Sequence, residues 1–364
     1  MNRLIDARGN PALLWTGVAA VALALVLLPF ALAVIGTTWV RIANFAVLYV
    51  LLALGLNIVV GFAGLLDLGY IAFYAVGAYC YALLASPHFD IHLPFWVILP
   101  IGAALAAFFG VILGAPTLKL RGDYLAIVTL GFGEIVRIFL NNLSQPVNIT
   151  RGPQGIAQID PFRLGPVDFS RTDTVLGFAV SGPMKYYWLL LAVLVAVIVI
   201  NIRLQDSRIG RAWEAIREDE IAARAMGINT TNMKLLAFAM GATFGGIAGG
   251  MFAAMQSFIS PESFVLVESI MVVAMVVLGG MGNIWGVMLG AVLLSFVPEV
   301  LRWTVAPAQE ALFGRQVIEP EVIRMLLFGL ALVLVMLFRP AGLLPSQVRK
   351  RELAGEDGPG PQRA

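Results

Sequence analysis

The chain has 364 residues, of which 60% are hydrophobic and 13% are Asp, Glu, Lys or Arg, with a formal net charge of +2. Soluble domains carry roughly 25% charged residues and stop enlarging a single core at a few hundred residues, so water is not the solvent for a mean hydropathy of +0.89. Lipid is, which excludes a cytosolic enzyme, a secreted domain and a nucleic-acid-binding protein; a balance this close to neutral also seeks no nucleic acid.

A spanning helix needs about 20 mostly apolar residues. Ten candidates follow in chain order, over about 12–35, 41–60, 68–86, 94–114, 124–141, 186–203, 233–259, 264–280, 284–303 and 321–338. The first apolar stretch is longer than the roughly 7–15 residues of a signal-peptide core, so it reads as a span. All ten are continuous and about twice the length of the alternating segments of a membrane β-barrel. The expected fold class is therefore all-α, a polytopic helical membrane protein of about ten transmembrane helices. Gly279–Asn283 is either a short turn or an interruption inside one longer helix.

With the N-terminus placed inside, the inner segments hold 15 of the 24 Lys and Arg, Arg349-Lys350-Arg351 at the other end included. Ten spans put both termini in the cytoplasm. Residues 1–340 form one transmembrane domain, with 142–185 as a long outer loop and 204–232 as the main inner loop. Residues 341–364 form a polar tail of disordered composition.

The search for an energy source finds no G-x-x-x-x-G-K-[ST] phosphate loop. Gly282, Gly286 and Gly290 recur every fourth residue, as do Gly241, Gly245 and Gly249, which is the pattern of closely packed membrane helices. Cys80 is the lone cysteine. His88, Asp90 and His92 are too few for a metal site with its supporting shell and read as a polar loop. No catalytic set is assembled, so no enzyme is expected. Ionisable residues in spans are costly and often functional. Asp67 opens the third span, Glu268 lies near an outer helix end, and Glu134 and Arg137 stand three apart in the fifth, spaced to pair.

The inner loop is the most informative stretch. Asp219 is placed to cap a short helix and Gly227 to stop it, with Ala222, Ala223 and Met226 on or near one face. Small and flexible apolar groups on an exposed helix suit a groove in another protein. The rival, a helix lying on the bilayer surface, is weakened by the acids Glu214, Glu218, Asp219 and Glu220.

Ile221-Ala-Ala-Arg-Ala-Met-Gly227 resembles the E-A-A-x-x-x-G loop of ABC importer permeases, with Ile221 where Glu is usual. The runs Gly61–Tyr79, Leu120–Arg137, Thr150–Ile156, Gly210–Asp219, Val277–Gly286 and Arg339–Gly342 are similar to the branched-chain amino acid permeases of LivM type. Arg151 stands where that family usually has Gly. The resemblance covers most of the chain. It implies the ABC importer permease fold, a homologous LivH-like permease as partner, two cytoplasmic ATPase subunits docked on the inner loop and a periplasmic substrate-binding protein. It implies a multi-pass protein of a bacterial inner membrane, surrounded by membrane lipid, with no cofactor of its own because ATP is bound by the partner subunits.

On this reading Glu214, Asp219, Glu220, Ala222, Ala223 and Gly227 form the ATPase-coupling loop. Asn57, Asp67, Tyr70, Thr129, Glu134 and Asn283, at two expected helix breaks and on the fifth span, line the substrate pathway. The same importer with urea, amides or other amino acids as cargo is the alternative. A stand-alone secondary carrier built on Glu134 is a more distant one, and an assembly subunit without a pore another.

Overall fold

The computed structural model describes residues 11–313 apart from 118, 119, 121, 145–147, 166, 176 and 177, with scattered positions from 322 to 344. With no water in the hydrocarbon layer, backbone N–H and C=O groups must pair within the segment, which long apolar runs achieve as helices. The helices are α1 (Pro11–Ile35), α2 (Thr37–Asn57), α3 (Ile71–Leu84), α4 (Phe95–Thr117), α5 (Asp123–Asn142), α6 (Gly182–Gln205), α7 (Arg208–Glu218), α8 (Glu220–Ala225), α9 (Thr230–Gln256), α10 (Leu266–Gly279) and α11 (Ile284–Phe313). Nine of them match the first nine expected spans. The tenth, 321–338, lies largely outside the described residues.

Among the described residues, five helical stretches are long and apolar enough to cross a membrane: Thr37–Phe62, Phe95–Thr117, Gly182–Gln205, Thr230–Gln256 and Pro261–Gly279. Ala19–Ile35, Ile71–Leu84 and Ile284–Val300 are shorter apolar stretches. α5 is in neither group; it carries Asp123, Glu134 and Arg137.

α9 is the hub of the bundle, packed most extensively against α4 and α3 and then α2. Its glycines make this possible. A Cβ on Gly249 would strike the Tyr74 carbonyl, and one on Gly241 would lie 3.1 Å from the Gly55 carbonyl. α10 and α11 form an antiparallel hairpin, with Gly279 against Gly286 and Gly290 against Met275. Gly279–Asn283 is thus resolved as a short turn; Gly280 and Gly282 adopt φ of 114° and 81° within it.

The loops separate into two sets at opposite ends of the bundle. One set contains every strand of the described residues. Ala85–Ser86 (β1) pairs with Ile91–His92 (β2), and Ile156–Ala157 (β3) pairs with Phe258–Ile259 (β8). Arg163–Leu164 (β4) pairs with Val167–Asp168 (β5), and Asp173–Val175 (β6) with Phe178–Val180 (β7). The all-α expectation therefore gains four small ribbons, all confined to this end. The long loop also runs 143–181 rather than 142–185, because α6 begins at Gly182.

This end is cemented by aromatic rings: Phe95 to Phe162 at 4.4 Å, Phe162 to Phe169 at 4.5 Å and Phe169 to Tyr186 at 5.5 Å. Lys185, buried in the first turn of α6, donates to the Asp168 and Arg171 carbonyls at 2.8 Å and to Asp173 at 2.6 Å. His92 meets Asp160 at 2.5 Å, and His88 meets the Asn148 carbonyl at 3.0 Å. The opposite end gathers 58–64, 206–229, 280–283 and 342–344, while 65–70 turns back into the bundle toward Thr129, Phe264 and Ser269.

Candidate functional site

The first interruption of the bundle follows α2. The chain leaves regular helix through a π-helical turn, Ile58–Phe62, and stays non-helical to Tyr70. Such turns recur at functional positions. Its freed backbone groups are met by side chains of other helices. Thr129 Oγ1 on α5 accepts from Leu68 N at 3.0 Å, and Ser269 Oγ on α10 donates to Leu68 O at 2.6 Å. Gly69 lies so close to α5 that a Cβ there would collide with the Thr129 carbonyl.

Four of the six expected pathway residues, Asn57, Asp67, Tyr70 and Thr129, converge on this interruption. Asn57, Asp67 and Thr129 have no exposed surface and Tyr70 has 1%. Asp67 Oδ1 accepts from Gly69 N at 2.9 Å, and Tyr70 donates its hydroxyl proton to the Gly241 carbonyl at 3.0 Å. Asn57 Oδ1 accepts from Gly282 N at 2.9 Å, joining the first interruption to the turn between α10 and α11. Asn283 turns away, donating to the Leu344 carbonyl at 2.8 Å. Asp67 Oδ2 and Asn57 Nδ2 are buried with no partner among the described residues. Each such atom costs about 1–3 kcal/mol, and Asn44, Tyr79, Asn141, Ser181 and Asn201 each hold another.

Glu134 stands apart from that cluster. It pairs with Arg137 as their spacing requires, and Arg137 also reaches Glu262 at 3.3 Å, so the pair ties α5 to the loop before α10. Glu134 borders a cavity of about 10 Å³, between Leu68, Gly133 and Phe264. Glu268, in the first turn of α10, accepts from Tyr49 at 2.8 Å. A larger cavity, about 290 Å³, lies at the ribbon end against Arg41, Asn44, Phe45, Phe169, Tyr186 and Gln256. None of the six expected pathway residues lines it.

Residues 206–229 hold two helices where one is expected. α7 was hidden from the sequence reading because it buries only a narrow stripe, Gly210, Trp213 and Ile216, among polar residues. Ser207 caps it by accepting from Ile209 N and Gly210 N. Trp213 is fully buried and donates to the Met233 carbonyl at 2.7 Å. Glu214 is exposed on its outer side.

α8 is bounded as its residues dictate. Asp219 Oδ1 accepts from Ile221 N and Ala222 N at 2.8 and 3.0 Å. Gly227 ends the helix at φ 85°, a left-handed conformation cheap only for glycine. The expected single apolar face is corrected, however. Ala223 points inward with 4% exposure, whereas Ala222, Ile221 at 69% and Met226 at 83% point out. Glu220 is an internal anchor, paired with the buried Lys234 at 2.8 Å and with Arg224 at 3.1 Å. The outward patch is therefore Ile221, Ala222 and Met226, presented by a helix pinned to the start of α9.

An apolar bundle with glycine-packed helices, an interrupted helix and a capped helix pair at one end defines a multi-pass membrane protein of permease type. Residues 38–336 match the family described as the branched-chain amino acid transport system permease component, and the chain belongs to that family. It is 46% identical over 319 residues to the LivM permease protein of the high-affinity branched-chain amino acid transport system of Escherichia coli K12, covering 84% of this chain and 70% of that one. It is 45% identical over 336 residues to the Salmonella typhimurium LivM protein, covering 86% and 74%. The LivH permease protein of the Escherichia coli system is 24% identical over 301 residues, covering 81% and 91%. No solved structure matches the chain.

Proposed function

We propose that this chain is one of two permease subunits of an ATP-driven importer for branched-chain amino acids in a bacterial inner membrane. The second subunit is a homologue of LivH type, two ATPase subunits bind ATP and dock on α8, and a periplasmic binding protein delivers the amino acid at the ribbon end. Ten spans place both termini in the cytoplasm, and the chain needs no cofactor of its own. The likeness to both LivM and LivH permeases supports the pairing. The observation that carries the ATPase arm is the exposed patch of Ile221, Ala222 and Met226 on a helix anchored to the bundle.

Movement of the ATPases shifts the population between two arrangements of the bundle, and their differential affinity for the two is the work available. Asn57, Asp67, Tyr70 and Thr129 are closed in one arrangement. In the other they offer hydrogen-bonding partners to the passing zwitterion, as interrupted helices do in transporters.

Purification of the tagged chain from its native membrane in mild detergent tests this. Wild type brings down two ATPase subunits and a second permease, while Ile221→Asp with Met226→Asp keeps the permease and loses the ATPases. Uptake by a chain that no ATPase accompanies contradicts the proposal.

A further inference from the structure

Arg217, in the last turn of α7, is the point where the inner helix pair touches the first interruption. Its Nη1 donates to the Gly61 carbonyl. In a continuing α-helix that carbonyl would accept from Leu65 N, but Leu65 N goes to the Val59 carbonyl at 3.0 Å. The guanidinium thus takes a carbonyl that the interruption sets free. The stem of the same side chain rests on Gly64, where a Cβ would come within 2.7 Å of Arg217 Cγ at a φ of 70°. Only glycine supplies both that conformation and that space.

The next links are equally close. A Cβ on Gly61 would strike Asn57 Oδ1 and lie 2.6 Å from Gly282 N. Asn57 already holds Gly282 N at 2.9 Å. One guanidinium on a helix outside the bundle is therefore wired through Gly61 and Asn57 to both the 58–70 interruption and the 280–283 turn. α7 itself is held by its Ser207 cap and by the bond from its Trp213 to the Met233 carbonyl, which ties it to the start of α9.

We infer that Arg217 is a positioning residue that transmits displacement of the α7–α8 pair to the two interruptions, so that the inner end of the pathway opens only when α8 is moved. This rests on the reading that ATPases act on α8. Arginine suits the task because its fork is always charged and holds a carbonyl while its stem packs.

The test uses the whole importer in proteoliposomes, measuring ATP hydrolysis and leucine uptake together. Arg217→Gln is expected to keep its ATPase subunits and its hydrolysis while uptake per ATP falls about tenfold or more. Gly64→Ala, acting from the other side of the contact, is expected to uncouple in the same sense. Arg217→Lys keeps a charged donor and is expected to hold uptake per ATP within about threefold of wild type. Arg211→Gln, on the exposed side of α7, is expected to behave as wild type. Wild-type coupling in Arg217→Gln overturns the inference alone. Loss of the assembled complex in both Arg217→Gln and Arg217→Lys also overturns it, because the residue then holds the fold. Wild-type uptake with no ATPase bound overturns this inference and the reading beneath it together.

Discussion

The two ends of the bundle are built on opposite principles. The ribbon end is closed by short β-pairs, edge-to-face aromatic rings and a buried lysine whose bonds are all made. The opposite end has a π-helical turn and a glycine turn, with glycines under close backbone contact. A ring-packed cap tied by paired strands resists rearrangement. An interruption held by single side-chain bonds has alternatives of similar energy. Motion is therefore expected to concentrate at the end where the proposed ATPase subunits dock.

The sharpest way to break that contrast is Trp213→Ala. It removes a fully buried ring and its bond to Met233, at about 3–5 kcal/mol by the usual cost of such truncations. Thermal unfolding of the purified complex should fall, and the ATPases should dissociate first. Dissociation of the second permease before the ATPases would show that α7 does not belong to the mobile end.

Lys185→Met tests the rigid end. Two carbonyls and Asp173 lose their partner, for about 2 kcal/mol. The expected outcome is a lower unfolding temperature with unchanged uptake per ATP. A coupling defect would contradict the division of labour.

Tyr70→Phe is a smaller change at the interruption. It removes the second hydrogen bond on the Gly241 carbonyl, which keeps its intrahelical donor, for about 1 kcal/mol. Amide exchange over 63–70 should quicken while exchange over 156–164 does not.

The smallest effect is on acid stability. The Asp168 carboxyl is held below its ordinary range by the Ser170 backbone N–H, with the Ser170 hydroxyl adding to it. Its stabilisation is fully present above the ordinary carboxylate pKa and is lost as pH falls through the depressed one. Asp168→Asn should flatten that part of the stability profile, lowering stability slightly at neutral pH and leaving it little changed in acid.

Much of this was legible in the residues. Apolar runs located nine helices, Asp219 and Gly227 bounded α8, and the spacing of Glu134 and Arg137 foretold their bond. The break after α2 was visible as the glycines from Gly61 to Gly69. What was hidden depends on long-range placement. The pairing of Ile156 with Ile259 joins strands a hundred residues apart, each only two residues long. Ala223 and Ala222 look alike in sequence, yet only packing against α9 turns one inward. Arg217 read as one more inner-loop cation, because nothing local announces a free carbonyl at Gly61.

The central claim, that ATP drives passage through this bundle by way of α7–α8, is tested most directly by leucine uptake into proteoliposomes holding the assembled importer and its binding protein. The account predicts uptake that requires ATP on the ATPase side and stops when Ile221→Asp and Met226→Asp remove the docking patch. Uptake that runs without ATP on an imposed ion gradient, and survives those substitutions, would contradict it.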